Sequence, residues 1–546
     1  MVCQQTGDFE AAKDHLIEVL RLNPCDAWAL VILANHYLRQ DGDTDAAERF
    51  LQRALELKPS DTWALNSMGS VMMARKKSRE AIEFFERAIR ESPDFANAYL
   101  GKATVLLDLS KAAEATAVLE EMFKTAKLQD SRSEPVFQQA QMLYAEAETE
   151  VAQIKADATR EAVLALENRA EELSGYPVKE ISEELEAKVV AKMRMAWKHD
   201  TDHHTLVMRK DAQLPDAIRH HICAHELMHV IMESEARDFG KNRWFTTTPA
   251  NKEAAILQTA KEIRALEKKG FSGDEMAAVL DQLFTGANAF LFNCPLDMLI
   301  ERRLLRELPI LKEAQFTSVC MLASDGLAVT LNKQIRSIVP PTIQRINDTL
   351  NAVYAIFVDD LFGGATSFAK HYRDLPGYNS AEKLFAQWEE AARQSEPGGE
   401  YAIVDIFAEH LGMSDWFTWR PDRGFIPPEN LDLGTSEGVS NPELLQQKAP
   451  ASVMYLLGAL QKFDGMPESK VKEIAFEIAM RGREGIDYSD PDKKYALNSM
   501  PGQELSGLQM MCLMYAGFKR FAPELDPGMD LQKEYEQALL LHGRNQ

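Results

Sequence analysis

The chain has 546 residues, 45% of them hydrophobic and 27% charged, which is the composition of a folded globular protein and excludes wholesale disorder. Its 84 acidic and 61 basic residues give a formal charge of -23, which argues against nucleic acid or an anionic membrane as the main partner, because both select basic surfaces. No run of about eighteen apolar residues predicts a membrane span. The first residues lack the features of a signal peptide, and the six cysteines are scattered, so we expect a cytoplasmic protein.

A repeated pattern occupies the first quarter of the chain. Alanines recur at intervals of 35, 34 and 34 residues, each followed four positions later by a large apolar residue: Ala12, Ala47, Ala81 and Ala115, with Leu16, Leu51, Phe85 and Leu119. Small residues and closing prolines recur with matching intervals: Ala34, Gly69 and Ala103, with Pro24, Pro59 and Pro93. The pattern resembles the tetratricopeptide repeat, a helix-turn-helix unit of about 34 residues.

This resemblance implies a short α-solenoid over residues 1–128, with a concave face wide enough for a peptide. We therefore expect a protein partner on that face. The alternative is a solenoid that only packs against the rest of the chain.

Residues 129–198 are predicted to form a helical spacer. The polar stretch Gln129–Pro135 indicates a boundary, and residues 136–173 have the composition and spacing of one long helix. After a break at Gly175–Pro177, we expect a second helix from about Ile181 to Trp197.

The next segment, residues 199–332, is rich in histidine and contains the motif His-Glu-x-x-His. A short strand is predicted over His204–Arg209, followed by a helix from Asp216 to about Arg237. Because residues four apart share a helix face, His225 and His229 can direct their imidazoles at one metal ion. Glu226 lies between them in sequence and leans toward the same space.

The block around this motif, Arg219–Val230, resembles the active-site helix of zincin metallopeptidases. The resemblance implies a Zn²⁺ ion held by His225 and His229, with Glu226 as the catalytic base that takes a proton from the zinc-bound water as it attacks a peptide bond. It thus implies a zincin-like core over residues 199–332 and a peptide or protein substrate.

A third metal ligand must come from another helix, as in the gluzincin arrangement. Asp297 and Glu301 are four residues apart within an apolar helical segment, so one of them could bind zinc while the other orients a histidine. Side-chain reach favours Glu301 slightly. A weak likeness to bacterial metallopeptidase-like domains with an Asn-x-x-x-Asp helix favours Asp297. A third alternative is that both carboxylates only pair with nearby arginines.

Residues 333–546 are predicted to be mostly helical and show no chemistry of their own. The sequence thus predicts a mainly α protein: a tetratricopeptide solenoid, a zincin-like α+β domain and a helical C-terminal region. The leading functional hypothesis is a zinc-dependent metallopeptidase that docks partners or substrates through its repeats. One alternative is a catalytically silent scaffold with a degenerate metal site. Another is a structural zinc site with His203 or Cys294 as a fourth ligand.

Overall fold

The computed structural model describes residues 9–126, 133–185, 189–210, 212, 214–267, 273–333, 336, 339–422, 432–433, 451–464, 466–482, 485–486, 493–522, 531–532, 534–536 and 538–539. Helices make up most of these residues, which confirms the predicted mainly α class. The strands form small sheets of two or three members.

The repeat region begins with α1 (Phe9–Leu22), and antiparallel helix pairs follow. These are α2 (Ala27–His36) with α3 (Thr44–Leu57), α4 (Thr62–Ala74) with α5 (Ser78–Glu91), and α6 (Ala96–Asp108) with α7 (Ala112–Thr125). Asp26 and Asp61 each accept a hydrogen bond from the amide three residues on, which fixes the first turns of α2 and α4. The recurring alanines of the second helices are buried between the pairs.

One irregularity of the repeat interval has a structural cause. The first interval of 35 residues separates Ala34 from Gly69 as well as Ala12 from Ala47, which places one extra residue between Ala34 and Ala47. The structure shows a π-helical turn in that stretch, at Tyr37–Asp41. A π turn accommodates one more residue than an α turn, so the helix pair keeps its packing despite the insertion.

The small residues of the first helices allow close approach of the ring of Phe85. A Cβ atom at Gly69 would lie 2.7 Å from this ring, and one at Gly101 would lie 2.5 Å from it. Both distances are shorter than carbon atoms tolerate. The absence of a side chain at these two glycines therefore leaves room for the Phe85 ring between successive repeats.

The predicted spacer is only partly helical. Instead of one long helix, α8 (Glu134–Ile154) and α9 (Ala156–Ser174) are separated at Lys155. The predicted helix from Ile181 to Trp197 is wrong, because the chain there forms β1 (Val178–Glu183), β2 (Ala191–Arg194) and a short α10 (Ala196–His199). The alternation of buried and part-exposed side chains over residues 191–195 has the period of two that a strand requires.

These strands combine with β3 (His204–Arg209), which confirms the strand predicted there. The sheet order is β1-β3-β2, with β1 parallel and β2 antiparallel to β3. One face of β2 and β3 packs on the motif helix α11 (Asp216–Asp238), through a core that includes Met193, Leu206 and Leu227. The predicted helix over residues 216–237 is therefore confirmed.

The central region contains further helices, which pack around α11. They are α12 (Pro249–Glu267), α13 (Gly273–Glu307), α14 (Lys312–Thr330), α15 (Pro341–Leu361), α16 (Tyr378–Arg393) and α17 (Glu400–Leu411). A second sheet has the order β5-β4-β6, formed by β4 (Arg243–Thr247), β5 (Thr418–Pro421) and β6 (Asp432–Leu433). Helix α13 carries Pro295, whose carbonyl accepts a hydrogen bond from the indole of Trp388 at 3.1 Å.

The C-terminal part has a hydrophobic core of its own. It consists of α18 (Ala451–Asp464), α19 (Glu468–Gly482), the hairpin β7 (Lys494–Leu497) and β8 (Met500–Ser506), and α20 (Gly507–Phe521). Ser506 and Gln509 form a reciprocal capping box at the start of α20. The methionine-rich stripe of α20 contributes to this core, as Met510 shows with no exposed surface.

Among the described residues, one helical segment, Leu280–Glu307, has the length and hydropathy to cross a membrane. In the structure 89% of its most apolar window is buried within the protein. The segment packs as a central core helix and carries both acidic candidates, Asp297 and Glu301.

The last repeat shares its hydrophobic core with the central region. Tyr99 and Leu119 of the repeats belong to the same cluster of buried side chains as Phe284 and Phe316. One ion pair crosses the same junction, where Lys312 contacts Glu120 of α7. A second pair joins the spacer to α14, since Lys155 lies 2.8 Å from Glu313. The predicted boundary at Gln129–Pro135 lies mostly outside the described residues.

This shared core predicts that the two regions do not separate cleanly. A chain starting at residue 133 should be much less stable than one starting at residue 92, because only the shorter chain loses α6 and α7. Truncation at residue 133 would expose Tyr144, which is 2% exposed in the full chain and packs edge-to-face on Phe316. Thermal unfolding of both truncated chains measures the difference. Equal midpoints would show that the last repeat is not part of this core.

Candidate metal centre

Helix α11 directs both motif histidines toward the same buried space. The rings of His225 and His229 lie with their centroids 5.1 Å apart, and the two residues are 2% and 4% exposed. Apolar neighbours on the same helix, including Leu227 and Val230, anchor it in the core. The i, i+4 spacing thus produces the convergence expected from the sequence.

Asp297 of α13 completes this group. Its Oδ1 atom lies 3.5 Å from Nε2 of His225 and 3.6 Å from Nε2 of His229. One donor atom from each of the three residues lies within 4.8 Å of the other two, an arrangement that could hold a metal ion. All three residues are buried. Within the described residues, neither imidazole Nε2 atom makes a hydrogen bond.

Glu301 lies one turn further along α13 and supports the group from behind. Its Oε1 atom is 2.7 Å from Nδ1 of His225, on the side of the ring away from Asp297. Its Oε2 atom is 3.0 Å from Nε2 of His221 and accepts a hydrogen bond from the amide of Gln315 at 2.6 Å. The geometry therefore gives Asp297 the position of a ligand and Glu301 that of a support. This is the reverse of the preference based on side-chain reach.

Two opposing effects shift the pKa values in this group. Burial disfavours the charged form of each residue, and a neighbouring opposite charge favours it. Burial alone would lower the pKa of His225, but the carboxylates of Asp297 and Glu301 outweigh it and raise that pKa well above its ordinary value. Burial would likewise raise the pKa of Glu301, yet His221 and His225 hold it well below its usual range. Asp297 shows the same balance, since the two motif histidines lower its pKa despite burial.

Glu226 is fully buried beside the two histidines. Burial raises the pKa of its carboxyl, while the neighbouring imidazoles of His229 and His225 act in the opposite direction. The backbone of Met193, on β2, also acts on this carboxyl, which places the sheet next to it. Glu226 thus lies between the motif histidines and β2, without belonging to the set of ligand atoms.

The other histidines and Cys294 have separate environments. His204 is fully buried, its Nδ1 accepts the amide N–H of Ala196 at 3.0 Å, and burial lowers its pKa to about 4. His203 lies beside Asp202. His220 lies 2.8 Å from the hydroxyl of Thr159. The thiol of Cys294 faces Met298 at 3.9 Å. The structure therefore does not bring His203 or Cys294 into the group of ligand atoms.

Sequence reasoning did not identify Gln315 and Ser318, which support the site from α14. Ser318 Oγ lies 2.5 Å from Nδ1 of His221. No motif marks these residues, because glutamine and serine are common on helices and their role arises only from the packing of α14 against α11.

A second group of donor atoms occurs in the first repeats, formed by Glu10, His36 and Asp41. There the ammonium group of Lys13 already lies 2.5 Å from Asp41. A cation of the protein itself thus neutralises this carboxylate. In the central group, the carboxylate of Asp297 instead lies 3.5 Å and 3.6 Å from Nε2 of the two motif histidines.

The donor set of the central group fits zinc. Two imidazole nitrogens and one carboxylate oxygen are ligands that Zn²⁺ accepts, and three protein ligands leave one position of a tetrahedral ion open. A hydrogen bond from the distal ring nitrogen of a ligand histidine to a carboxylate is the usual support of such sites. His225 and Glu301 provide it.

Comparison with known proteins supports the repeat region. Two family profiles, both described as tetratricopeptide repeat, match residues 4–66 and 68–126. The N-terminal quarter therefore consists of tetratricopeptide repeats, which confirms that part of the sequence prediction. Repeats of this class present concave surfaces that bind proteins. The two family matches end before the metal centre begins, and no curated protein sequence matches the chain.

Several solved structures are similar to about a quarter of the chain. MamA is 21% identical over 26% of this chain and 80% of its own, with a TM-score of 0.22. A thermophilic tetratricopeptide repeat protein of Thermus thermophilus is 19% identical over 27% of this chain and 82% of its own, with a TM-score of 0.24. YrrB, described as having an unusual peptide-binding site, is 23% identical over 27% of this chain and 80% of its own, with a TM-score of 0.21.

Proposed function

We propose that this chain is a zinc metallopeptidase that docks a protein partner or substrate on its tetratricopeptide repeats. The observation that carries the proposal is the convergence of His225, His229 and Asp297 within 4.8 Å beside the buried Glu226. A scaffold has no need of a carboxylate next to such a donor set. A peptidase needs one as a base.

Each of these residues would have a separate role in hydrolysis. His225, His229 and Asp297 would hold the ion, which when bound polarises a carbonyl group and acidifies water. Glu226 accepts a proton from the attacking water and passes it to the leaving amine. Burial raises the pKa of this glutamate, which favours its uptake of a proton from the attacking water.

Glu301 fixes the state of the ligand histidine. With its carboxylate ionised, Glu301 accepts the Nδ1–H of His225 at 2.7 Å, so Nε2 is the ring nitrogen that faces the metal side. His229 completes the pair from the next turn of the same helix. The ring orientation of His225 is thus set by the protein before the ion binds.

A second candidate function is a protein-interaction scaffold whose metal centre is catalytically silent. The comparisons favour it, because they support the repeats. Burial also favours it, since His225, Glu226, His229 and Asp297 are at most 4% exposed and a peptide can reach them only after part of the structure moves. Both candidates share the docking role of the repeats and the metal centre, and they differ in whether the chain hydrolyses peptides.

Metal content tests the part that the two candidates share. Purified full-length protein should carry about one zinc ion per chain, and His225→Ala or His229→Ala should remove it, because loss of one of three ligands strongly weakens binding. Elemental analysis of the three proteins after gel filtration gives the result. His203→Ala provides the matched control, since His203 lies outside the donor group. Equal zinc in the wild type and both motif variants would contradict the assignment.

A further inference from the structure

Helix α14 directs two polar side chains at the back of the metal centre. Gln315 is 1% exposed, and its side-chain amide donates both to the Oε2 atom of Glu301 at 2.6 Å and to the backbone carbonyl of Glu301 at 2.7 Å. This pair of hydrogen bonds ties α14 to α13 at the residue that supports His225. A buried amide placed in this way restricts the position of the whole Glu301 side chain.

The second polar side chain acts through His221. Ser318 is 6% exposed, and its hydroxyl lies 2.5 Å from Nδ1 of His221. On the other side of the ring, Nε2 of His221 lies 3.0 Å from Oε2 of Glu301. With Glu301 ionised, this Nε2–H donates to the carboxylate, while the serine hydroxyl is the hydrogen-bond partner of Nδ1 on the opposite edge of the ring. Ser318 thereby fixes the orientation of the ring that holds Glu301.

These contacts form one continuous network that ends on a metal ligand. Glu301 receives hydrogen bonds from His221, from Gln315 and from Nδ1 of His225. Placing so many polar groups in a core costs free energy unless every one is paired. Within a purely structural core, apolar side chains would fill the same volume at lower cost.

We propose that Gln315 and Ser318 are positioning residues for the metal ligand His225, acting through Glu301 and His221. The proposal rests on the zinc-binding part of the proposed function and not on peptide hydrolysis. It assigns a role to α14, a helix that contributes no ligand. Removing either side chain leaves the three donor atoms in place but frees the carboxylate that orients one of them.

Cobalt and zinc binding to the full-length chain tests this assignment. Ser318→Ala removes the hydroxyl that holds His221. Gln315→Met keeps the approximate shape of the side chain and removes its hydrogen bonds to Glu301. Ser324→Ala is the matched control, because Ser324 lies on the same helix, is exposed, and donates only to the carbonyl of Cys320 at 2.8 Å. Each protein is freed of metal and titrated with Co²⁺, and its zinc affinity is measured by competition with a chromogenic chelator.

Ser318→Ala and Gln315→Met should each weaken zinc binding by up to about 10-fold, because they act on Glu301, whose own loss as the direct partner of a ligand is expected to cost about 10–100-fold. They should also change the visible absorption of bound Co²⁺, since the orientation of one imidazole ligand changes. A merely structural role would lower thermal stability without altering this spectrum. Wild-type affinity and an unchanged spectrum in both variants would overturn the positioning roles. Failure of the wild type to bind either ion would instead overturn the metal centre.

Discussion

Replacement of Glu226 by glutamine is expected to leave the fold and the bound zinc intact and to lower peptide hydrolysis by about 10²–10⁴-fold. Glutamine has the shape of glutamate and can occupy the same buried space between α11 and β2. Its amide cannot accept a proton from water, so the step that generates the nucleophile loses its base. Hydrolysis of an unstructured protein substrate, compared at equal zinc content, measures the loss.

The control for this experiment is a glutamate with similar burial outside the metal centre. Glu148 of α8 is 1% exposed, and burial raises the pKa of its carboxyl to about 7. Glu148→Gln makes the same chemical change in a core of the same kind and should leave hydrolysis unaffected. Undiminished turnover by Glu226→Gln would contradict the peptidase mechanism. Absence of hydrolysis in the wild type would favour the second candidate function, a catalytically silent scaffold.

The sequence was informative wherever the relevant contacts are local. The repeat interval, the strand ending at Arg209 and the helix beginning at Asp216 each depend on neighbours within one or two turns. The convergence of His225 and His229 is also local, because it requires only the geometry of one helix. These features could therefore be predicted without knowledge of the tertiary structure.

The errors have a common physical origin. The stretch from Ile181 to Trp197 has enough glutamate, lysine and alanine to favour a helix, yet the alternation around Met193 pairs it with β3. The break at Lys155 likewise has no glycine or proline to signal it. In both cases the competing conformation is stabilised by packing against distant residues, and tertiary contacts outweigh local propensity.

The choice between the two carboxylates also depends on tertiary contacts. Side-chain length suggested Glu301, since a longer side chain reaches further. In the structure that reach is directed at Nδ1 of His225 and at His221, whereas Asp297 faces the Nε2 atoms. His221 and Gln315, which hold Glu301 in this position, lie 80 and 14 residues away in sequence. No local pattern encodes that arrangement.

The hydrogen-bond network behind the candidate metal centre is also joined to the repeats. Helix α14, which carries Gln315 and Ser318, begins at Lys312, where an ion pair connects it to Glu120 of the last repeat. The neighbouring pair of Glu313 with Lys155 lies within 2.8 Å. The same helix therefore contacts the docking module at its start and the network behind His225 one turn later.

The two carboxylate variants should separate ligand from support. Asp297→Ala is expected to abolish zinc binding and hydrolysis together, because it removes one of three ligand atoms and leaves two histidines that cannot hold the ion alone. Glu301→Ala should retain all three ligand atoms, bind zinc about 10–100-fold more weakly, and recover part of its turnover in excess zinc.

Zinc titrations of both variants, followed by hydrolysis at saturating zinc, provide the comparison. Leu299→Ala on the same helix is the control for loss of side-chain volume, since Leu299 is a partly buried apolar residue between the two carboxylates in sequence. Recovery of activity by Asp297→Ala but not by Glu301→Ala would reverse the two roles. Unchanged zinc affinity in both would place the third ligand elsewhere. The geometry predicts neither result, because the oxygen that lies 3.5 Å and 3.6 Å from the two imidazole nitrogens belongs to Asp297.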